Sequence, residues 1–301
     1  MKKKIQVVKK PWHFIVGFIL MILTIRLVAY SIEIQREERM FSKLHSHKTF
    51  STQASEPIII YGDSHNIEQV HKKILNKIVE INPRAVFHTG DLTLDGEPAH
   101  YQILFKNLEL IDKIPFYPVL GNHDVNTQLF FDYFKLPHNE EWYVVEHDDL
   151  FTIFLNGNKA IHQQSEQYKW LEEQLENASK TDKFKIIIIH QNSYSSGIHD
   201  GDGIRLQKIV VPLFEKFNVD IVFNGHEHTY ERSFVNDVYY VSTGGGGGII
   251  RKKQDEWEYS QVYLPVNHYC KIWTEGNSLF VNAIDLSDNV IDELEIKKDQ
   301  I

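Results

Sequence analysis

The sequence predicts an α/β fold, and three observations carry that reading. From Glu56 to Phe223, apolar runs of five or six residues alternate with stretches whose apolar residues recur at helical spacing. Continuous apolar runs of that length suit strands buried on both faces, which need helices above and below a parallel-rich sheet. After Tyr239 the pattern changes to four strand-like runs with no helical stretch between them. That predicts a second, antiparallel sheet packed onto the first. Composition agrees, since 42 % hydrophobic and 24 % charged residues in 301 exclude a disordered, collagenous or coiled-coil chain. Cys270 is the only cysteine, which excludes a disulfide framework and any cysteine-rich zinc or iron–sulfur site.

The amino-terminal residues read as a membrane signal. Six of the 32 basic residues lie in residues 1–31, which contain no acid, leaving 26 basic against 41 acidic side chains in the remainder. Residues 1–11 form a basic start, and 12–31 an apolar segment from Trp12 to Ser31. Its nineteen residues from Trp12 to Tyr30 span roughly 28 Å as a helix, close to the ~30 Å of a bilayer core. Aromatic rings stand at both ends, and Arg26 is near enough to Tyr30 to reach the interface. A cleaved signal peptide is the alternative, but Val28-Ala29-Tyr30-Ser31 makes a poor cleavage site. Lysines before the segment and Glu33, Glu37 and Glu38 after it predict a cytoplasmic N-terminus and an extracytoplasmic bulk. Residues 32–55 read as a stalk and 56–301 as the folded domain. So acidic a domain argues against binding duplex nucleic acid, and any phosphate-bearing ligand needs a local positive centre.

Within that domain, strands are expected at Pro57–Tyr61, Ala85–Thr89, Phe116–Leu120, Phe151–Leu155, Phe184–Ile189 and Val219–Phe223. Helices are expected at Asn66–Glu80, Pro98–Ile111, Gln167–Ala178 and Ile204–Phe217. The tail strands are Tyr239–Thr243, Tyr269–Thr274, Leu279–Ile284 and Val290–Ile296.

Five of the runs end in ligand-type residues: Asp63 with His65, Asp91, Asn122 with His123, His190, and His226 with His228. Sites in open α/β sheets form outside the carboxyl ends of the strands, so these residues are expected to converge. Carboxylate, imidazole and amide oxygen together suit zinc, iron or manganese. Glycines precede Asp63, Asp91, Asn122 and His226, and are expected to let the chain turn sharply there. Each piece is weak alone: Gly-Asp is commonly a turn, and Asn122-His123-Asp124 could cap a helix. All five in order are not easily independent accidents.

The set Gly62-Asp63-Ser64-His65, Gly90-Asp91, Gly121-Asn122-His123-Asp124, His190 and Gly225-His226-Glu227-His228 resembles the calcineurin-like metallophosphoesterases over residues 57–245. The downstream half is similar to purple acid phosphatases, at Gln167–Leu171, His190–Ser196 and Gly225–Arg232. Two departures stand out. Leu94 occupies the position of the purple enzymes' tyrosine, so no purple Fe(III) band is expected, and His65 is present where they lack a histidine.

The resemblance implies a four-layer α/β/β/α sandwich and a centre of two metal ions (Mn, Fe or Zn). Asp63, His65 and His228 would hold one ion, Asn122, His190 and His226 the other, and Asp91 would bridge them. Such a centre activates hydroxide for in-line attack on a phosphate ester and supplies the missing positive charge. The resemblance leaves His123 without a ligand slot, placed to protonate the leaving oxygen or steady the phosphoryl group, with Asp124 as its orienter. His199 falls where a second substrate-contacting histidine would lie, or is simply a surface loop residue. Arg232 is expected to pair with an acid, and Gly244–Gly248 to line the cleft as a close-approach loop. The substrate expected is a phosphate monoester, with diesters, nucleotides or phospholipid head groups as the alternative. A non-catalytic receptor on the same fold is disfavoured by the complete ligand set.

Overall fold

The first apolar run forms β1 (Ile58–Tyr61), whose four residues are all buried. The computed structural model describes residues 54–298 apart from 66, 125–127 and 148. The predicted anchor at 12–31 and almost all of the stalk lie outside the described residues. Among the described residues no helix is long and apolar enough to cross a membrane. Ser55, assigned to the stalk, already pairs with the domain: its N–H donates to the Thr274 carbonyl at 2.8 Å.

Strand β1 is followed by α1 (Glu68–Ile81), β2 (Ala85–His88), α2 (Pro98–Leu108) with a 3₁₀ turn at Glu109–Ile111, β3 (Phe116–Pro118) and a short α3 (Gln128–Tyr133). Then come β4 (Tyr143–Glu146), β5 (Leu150–Leu155), α4 (Glu166–Ala178), β6 (Phe184–Ile189), α5 (Asp200–Ile209), α6 (Val211–Lys216) and β7 (Ile221–Asn224). The tail contributes β8 (Tyr230–Val235), β9 (Val238–Thr243), β10 (Ser260–Leu264), β11 (His268–Glu275), β12 (Ser278–Asp285) and β13 (Val290–Lys297).

Two sheets result, ordered β13-β12-β11-β1-β2-β3 and β10-β8-β9-β7-β6-β5-β4. Both are mixed, which corrects the expectation of one parallel sheet and a separate antiparallel one. Strands β1, β2 and β3 pair in parallel, and β11 joins β1 antiparallel in the same sheet. Strands β5, β6, β7 and β9 form the parallel centre of the other. Periodicity reports that a run is buried but not which neighbour it pairs with, because pairing is decided by contacts remote in sequence.

Alternation along β6 shows how the layers form. Ile186 and Ile188 join the cluster between the sheets, whereas Ile187 and Ile189 pack with Leu171, Leu175, Leu206 and Phe214 of the covering helices. Helix α1 inserts Ile74, Leu75 and Ile78 against the other sheet, completing helix, sheet, sheet and helix. Aromatic rings close the middle: Phe87 of β2 meets Phe154 of β5 edge-on at 5.1 Å, and Tyr143 stacks on Phe154 at 4.5 Å. The helix expected at Ile204–Phe217 is two helices, divided at Val210. Pro212 removes a backbone donor and crowds the preceding turn, so one continuous helix is not available.

Candidate metal centre

The ends of the parallel strands hold the predicted residues in unusual backbone conformations. Asp63, Asp91 and His226 have φ of 56°, 55° and 68°, in the left-handed region that non-glycine residues avoid. Each such residue costs on the order of 1–3 kcal/mol and persists where surrounding contacts determine it. Those contacts are present. Asp63 N–H donates to the Gly90 carbonyl at 2.9 Å, His226 N–H to Asp63 Oδ1 at 3.0 Å, and His123 N–H to Asp91 Oδ1 at 2.9 Å.

The preceding glycines act differently from expectation. Only Gly90 has a positive φ, at 95°; at Gly62, Gly121 and Gly225 the constraint is space. A Cβ on Gly62 would overlap Thr89 Oγ1, one on Gly121 the Asp91 carboxylate, and one on Gly225 would stand 2.6 Å from Asp63 Oδ2. The turn is made by the acids and the imidazole themselves, and the glycines let neighbouring strand ends approach.

Donor atoms gather in three groups, each within 4.8 Å: Asp63, His65 and His228; Asp91, His190 and His226; and His65, Asp91 and His123. His228 Nε2 lies 3.5 Å from Asp63 Oδ1, and His190 Nε2 lies 3.4 Å from Asp91 Oδ2. Asn122 joins the second group, its Oδ1 lying 3.0 Å from His190 Nε2. The structure therefore brings together all seven residues expected to face metal.

The imidazoles are oriented from behind. Nδ1 of His190 faces the Thr89 carbonyl at 2.8 Å, that of His228 the Ile249 carbonyl at 3.0 Å, and that of His65 the Asp91 carbonyl at 3.2 Å. A carbonyl only accepts, so each Nδ1 carries the proton and donates, and in the neutral ring Nε2 is left as a bare lone pair. With a metal ion in place of the Nε2 proton, three imidazoles aimed this way beside carboxylates and an amide oxygen would fit a borderline divalent or trivalent cation.

Electrostatics follow from burial and the two acids. Burial lowers His65, and it lowers His226 to about 2 with help from His190 and His199. Burial opposes charge on His190 as well, but Asp91 beside it raises its pKa to about 9. Burial would raise Asp91, yet His190 and the His123 N–H hold it below the usual carboxylate range. Two buried carboxylates without a cation between them would be costly, and the positive partner found beside Asp91 is an imidazole.

His123 is part-exposed at the mouth. Its ring stacks on His65 at 4.9 Å, its Nδ1 donates to the Leu94 carbonyl at 2.5 Å, and its Nε2 is 3.9 Å from Asp91 Oδ2. Its orienting group is thus a backbone carbonyl and not Asp124. The buried Asp124 carboxylate accepts instead from the N–H groups of Leu92, Thr93 and Gly121 and from the Thr93 hydroxyl. Asp124 holds the loops that carry Asp91 and Asn122, and burial followed by the Asp91 charge lifts its pKa to about 7. His199 lies tilted against His226, ring centres 4.0 Å apart, and its backbone N–H donates to Glu227 Oε1 at 2.6 Å.

Other expectations concern support. Arg232 Nε donates to Asp292 at 2.6 Å, as the pairing predicted. The glycine run packs on the centre, with Gly248 N–H donating to the Asp63 carbonyl at 2.7 Å and Gly246 N–H to the Gly62 carbonyl at 2.9 Å. Sequence reasoning missed the carbonyls of Thr89, Leu94 and Ile249, which have no side-chain signature. Glu231, beside Arg232, accepts from the Ser196 N–H and hydroxyl and steadies the loop after His190, a supporting place in keeping with the sequence reading of that stretch.

With that geometry in view, the calcineurin-like phosphoesterase family matches residues 56–230. The chain belongs to it. Among curated proteins it is 28 % identical over 181 residues to the Fe(3+)-Zn(2+) purple acid phosphatase 12 of Arabidopsis thaliana, covering 51 % of this chain and 39 % of that protein. It is 30 % identical over 157 residues to a probable glycerophosphodiester phosphodiesterase of Arcobacter nitrofigilis, covering 48 % of this chain and 56 % of that one. Among solved structures, the purple acid phosphatase PPD1 of yellow lupin matches with a TM-score of 0.70 at 19 % identity, over 83 % of this chain and 55 % of that one. GAP50, the anchor in the inner membrane complex of Plasmodium, matches with a TM-score of 0.69 at 20 % identity, over 82 % of this chain and 90 % of that one. Both structures share the fold. The matched stretch spans 39 % of the length of the first curated relative.

Proposed function

We propose that this chain is a binuclear-metal phosphomonoesterase carried on an N-terminal membrane anchor, with its catalytic domain outside the cytoplasm. The observation that carries the chemistry is the set of donor groups meeting at Asp91, with imidazole Nδ1 atoms committed to backbone carbonyls. Asp63, His65 and His228 would hold one ion, Asn122, His190 and His226 the other, and Asp91 both. Two ions held there supply Lewis acidity toward phosphoryl oxygens and the positive charge an acidic chain lacks. His123, part-exposed and fixed by the Leu94 carbonyl, gives a proton to the leaving oxygen. His199 approaches the substrate beside His226. Asp124 keeps the Asp91 and Asn122 loops in register.

The name of the Arabidopsis relative, a purple acid phosphatase, supports the monoester reading. The name of the Arcobacter relative supports a second one, diester hydrolysis at the same centre. Hydrolysis of matched aryl mono- and diesters, after stripping metal and restoring Mn, Fe or Zn, separates them. Monoesters are expected to turn over faster, and only with metal restored. Turnover in metal-stripped protein overturns the metal-dependent reading, and a diester preference overturns the monoester one. Anchoring rests on the apolar length and one-sided lysines of residues 1–31. A reporter active only outside the cytoplasm, fused after residue 55, is expected to be active; silence there with an active cytoplasmic reporter overturns the topology.

A further inference from the structure

A cavity of about 220 Å³ opens beside the candidate metal centre. Its lining joins Ser64, His65 and the Leu92–Leu94 segment, from the loops that carry the donors, to Ile103 and Leu104 of α2. His123 stands at that border, stacked on His65 and bonded to the Leu94 carbonyl. A proton donor placed there implies that the group attached to the leaving oxygen extends from this border.

The polar groups in the wall already have partners. His71 Nε2 and the Tyr61 hydroxyl are 3.0 Å apart, His100 Nδ1 lies 2.6 Å from Asp95, and the Ser64 hydroxyl donates to the Leu92 carbonyl. Glu68, also in the wall, is held by Lys72 at 2.6 Å, and the face left between these paired groups is mainly aliphatic. Leu94 is 40 % exposed and Ile103 45 % exposed, at the mouth, over buried Leu92 and Leu104. Size narrows the occupant further. A cavity of ~150 Å³ lined by apolar residues admits benzene, whereas drug-sized ligands occupy pockets above ~300 Å³.

We propose that this cavity binds the alcohol moiety of the ester and selects a single apolar ring, so that aralkyl or aryl phosphates are the preferred substrate class over sugar or nucleoside phosphates. The proposal rests on the phosphoesterase reading for what the metal centre holds, and its test is chosen to fail separately. Benzylphosphonate and methylphosphonate are titrated calorimetrically into the full chain loaded with manganese. Neither compound is hydrolysed, so binding is read without turnover. Benzylphosphonate is expected to bind about 10- to 100-fold more tightly, the gain for burying one aromatic ring. Ile103→Trp, which fills the mouth, should bring that ratio close to one at unchanged manganese content. Ile103→Ala, milder for α2, should lower it several-fold. Equal affinity in the parent chain, absence of binding included, overturns the pocket, as does a ratio indifferent to both substitutions. A preserved preference with no hydrolysis of benzyl phosphate supports the pocket and overturns the phosphatase reading alone.

Discussion

The Asp63 side and the Asp91 side of the centre are built alike and wired differently. Each has an acid at positive φ and imidazoles held from behind by backbone carbonyls. Asp63 belongs to one donor group, however, and Asp91 to two, sharing one with His190 and His226 and another with His65 and His123. The halves also lock one another. The Asp63 carboxylate accepts from the His226 N–H, and the Asp91 backbone carbonyl accepts from His65. The difference teaches that damage on the Asp91 side spreads across the whole centre, whereas damage on the Asp63 side is more local.

That asymmetry sets the largest expected effect. Asp91→Ala should abolish activity and leave neither ion tightly held, whereas Asp63→Ala should lose mainly one. Elemental analysis of both variants checks this, and two retained ions in Asp91→Ala at parental activity would break the comparison.

The next effect sharpens it at the mouth. His123→Asn should keep both ions and lose about 10²–10⁴ in turnover, the range for general acid catalysis. The loss should shrink for nitrophenyl phosphate, whose leaving group needs little protonation. Rates across leaving groups of graded acidity, with metal content measured on the same samples, give the answer. A uniform loss at full occupancy leaves His123 only phosphate positioning.

Asp124→Ala tests whether the Asp91 side depends on the loop clamp more than on chemistry. Several buried N–H groups lose their acceptor, so the variant should lose about 3 kcal/mol of stability and bind the metal pair more weakly, as urea unfolding and metal titration would report. Unchanged stability with lost turnover would return Asp124 to a catalytic role.

The last effect concerns a buried histidine outside the donor set. Burial lowers the pKa of His268 to about 4, its ring bonded to Val266 and Thr243. The unfolded chain binds this proton near pH ~6.5 and the folded chain only near ~4, so the contribution is complete above ~6.5 and lost as pH falls through that window. The expected loss is about 3 kcal/mol. His268→Gln should flatten the slope between urea melts at about pH 7.5 and 4.5, and a slope identical to the parent's would remove His268 as its source.

The strand ends were legible because their signals are local. Asp63, Asp91, His190 and His226 each close an apolar run, and a parallel strand delivers its last residue to one edge of the sheet. Strand β8 was not legible, since Tyr230–Val235 opens with Tyr-Glu-Arg-Ser, lacks a clear two-residue period, follows directly on His226 and His228 and reads as part of their motif. The role of Asp124 was hidden for another reason: its partners Leu92 and Thr93 lie about thirty residues upstream and are reached through backbone N–H groups.

The sequence by itself determined the class of fold, the strands that carry the donors, and donor chemistry of carboxylate, imidazole and amide, because apolar periodicity and side-chain type belong to short stretches of chain. Only the tertiary structure decided which sheet each strand joined, that Asp63, Asp91 and His226 would take left-handed backbone while the glycines made room, and that Thr89, Leu94 and Ile249 would aim the imidazoles. Those outcomes depend on backbone groups and close approaches between segments far apart in sequence, such as Asp63 and His226, 163 residues apart, where every residue offers the same carbonyl and only the fold selects which one is used.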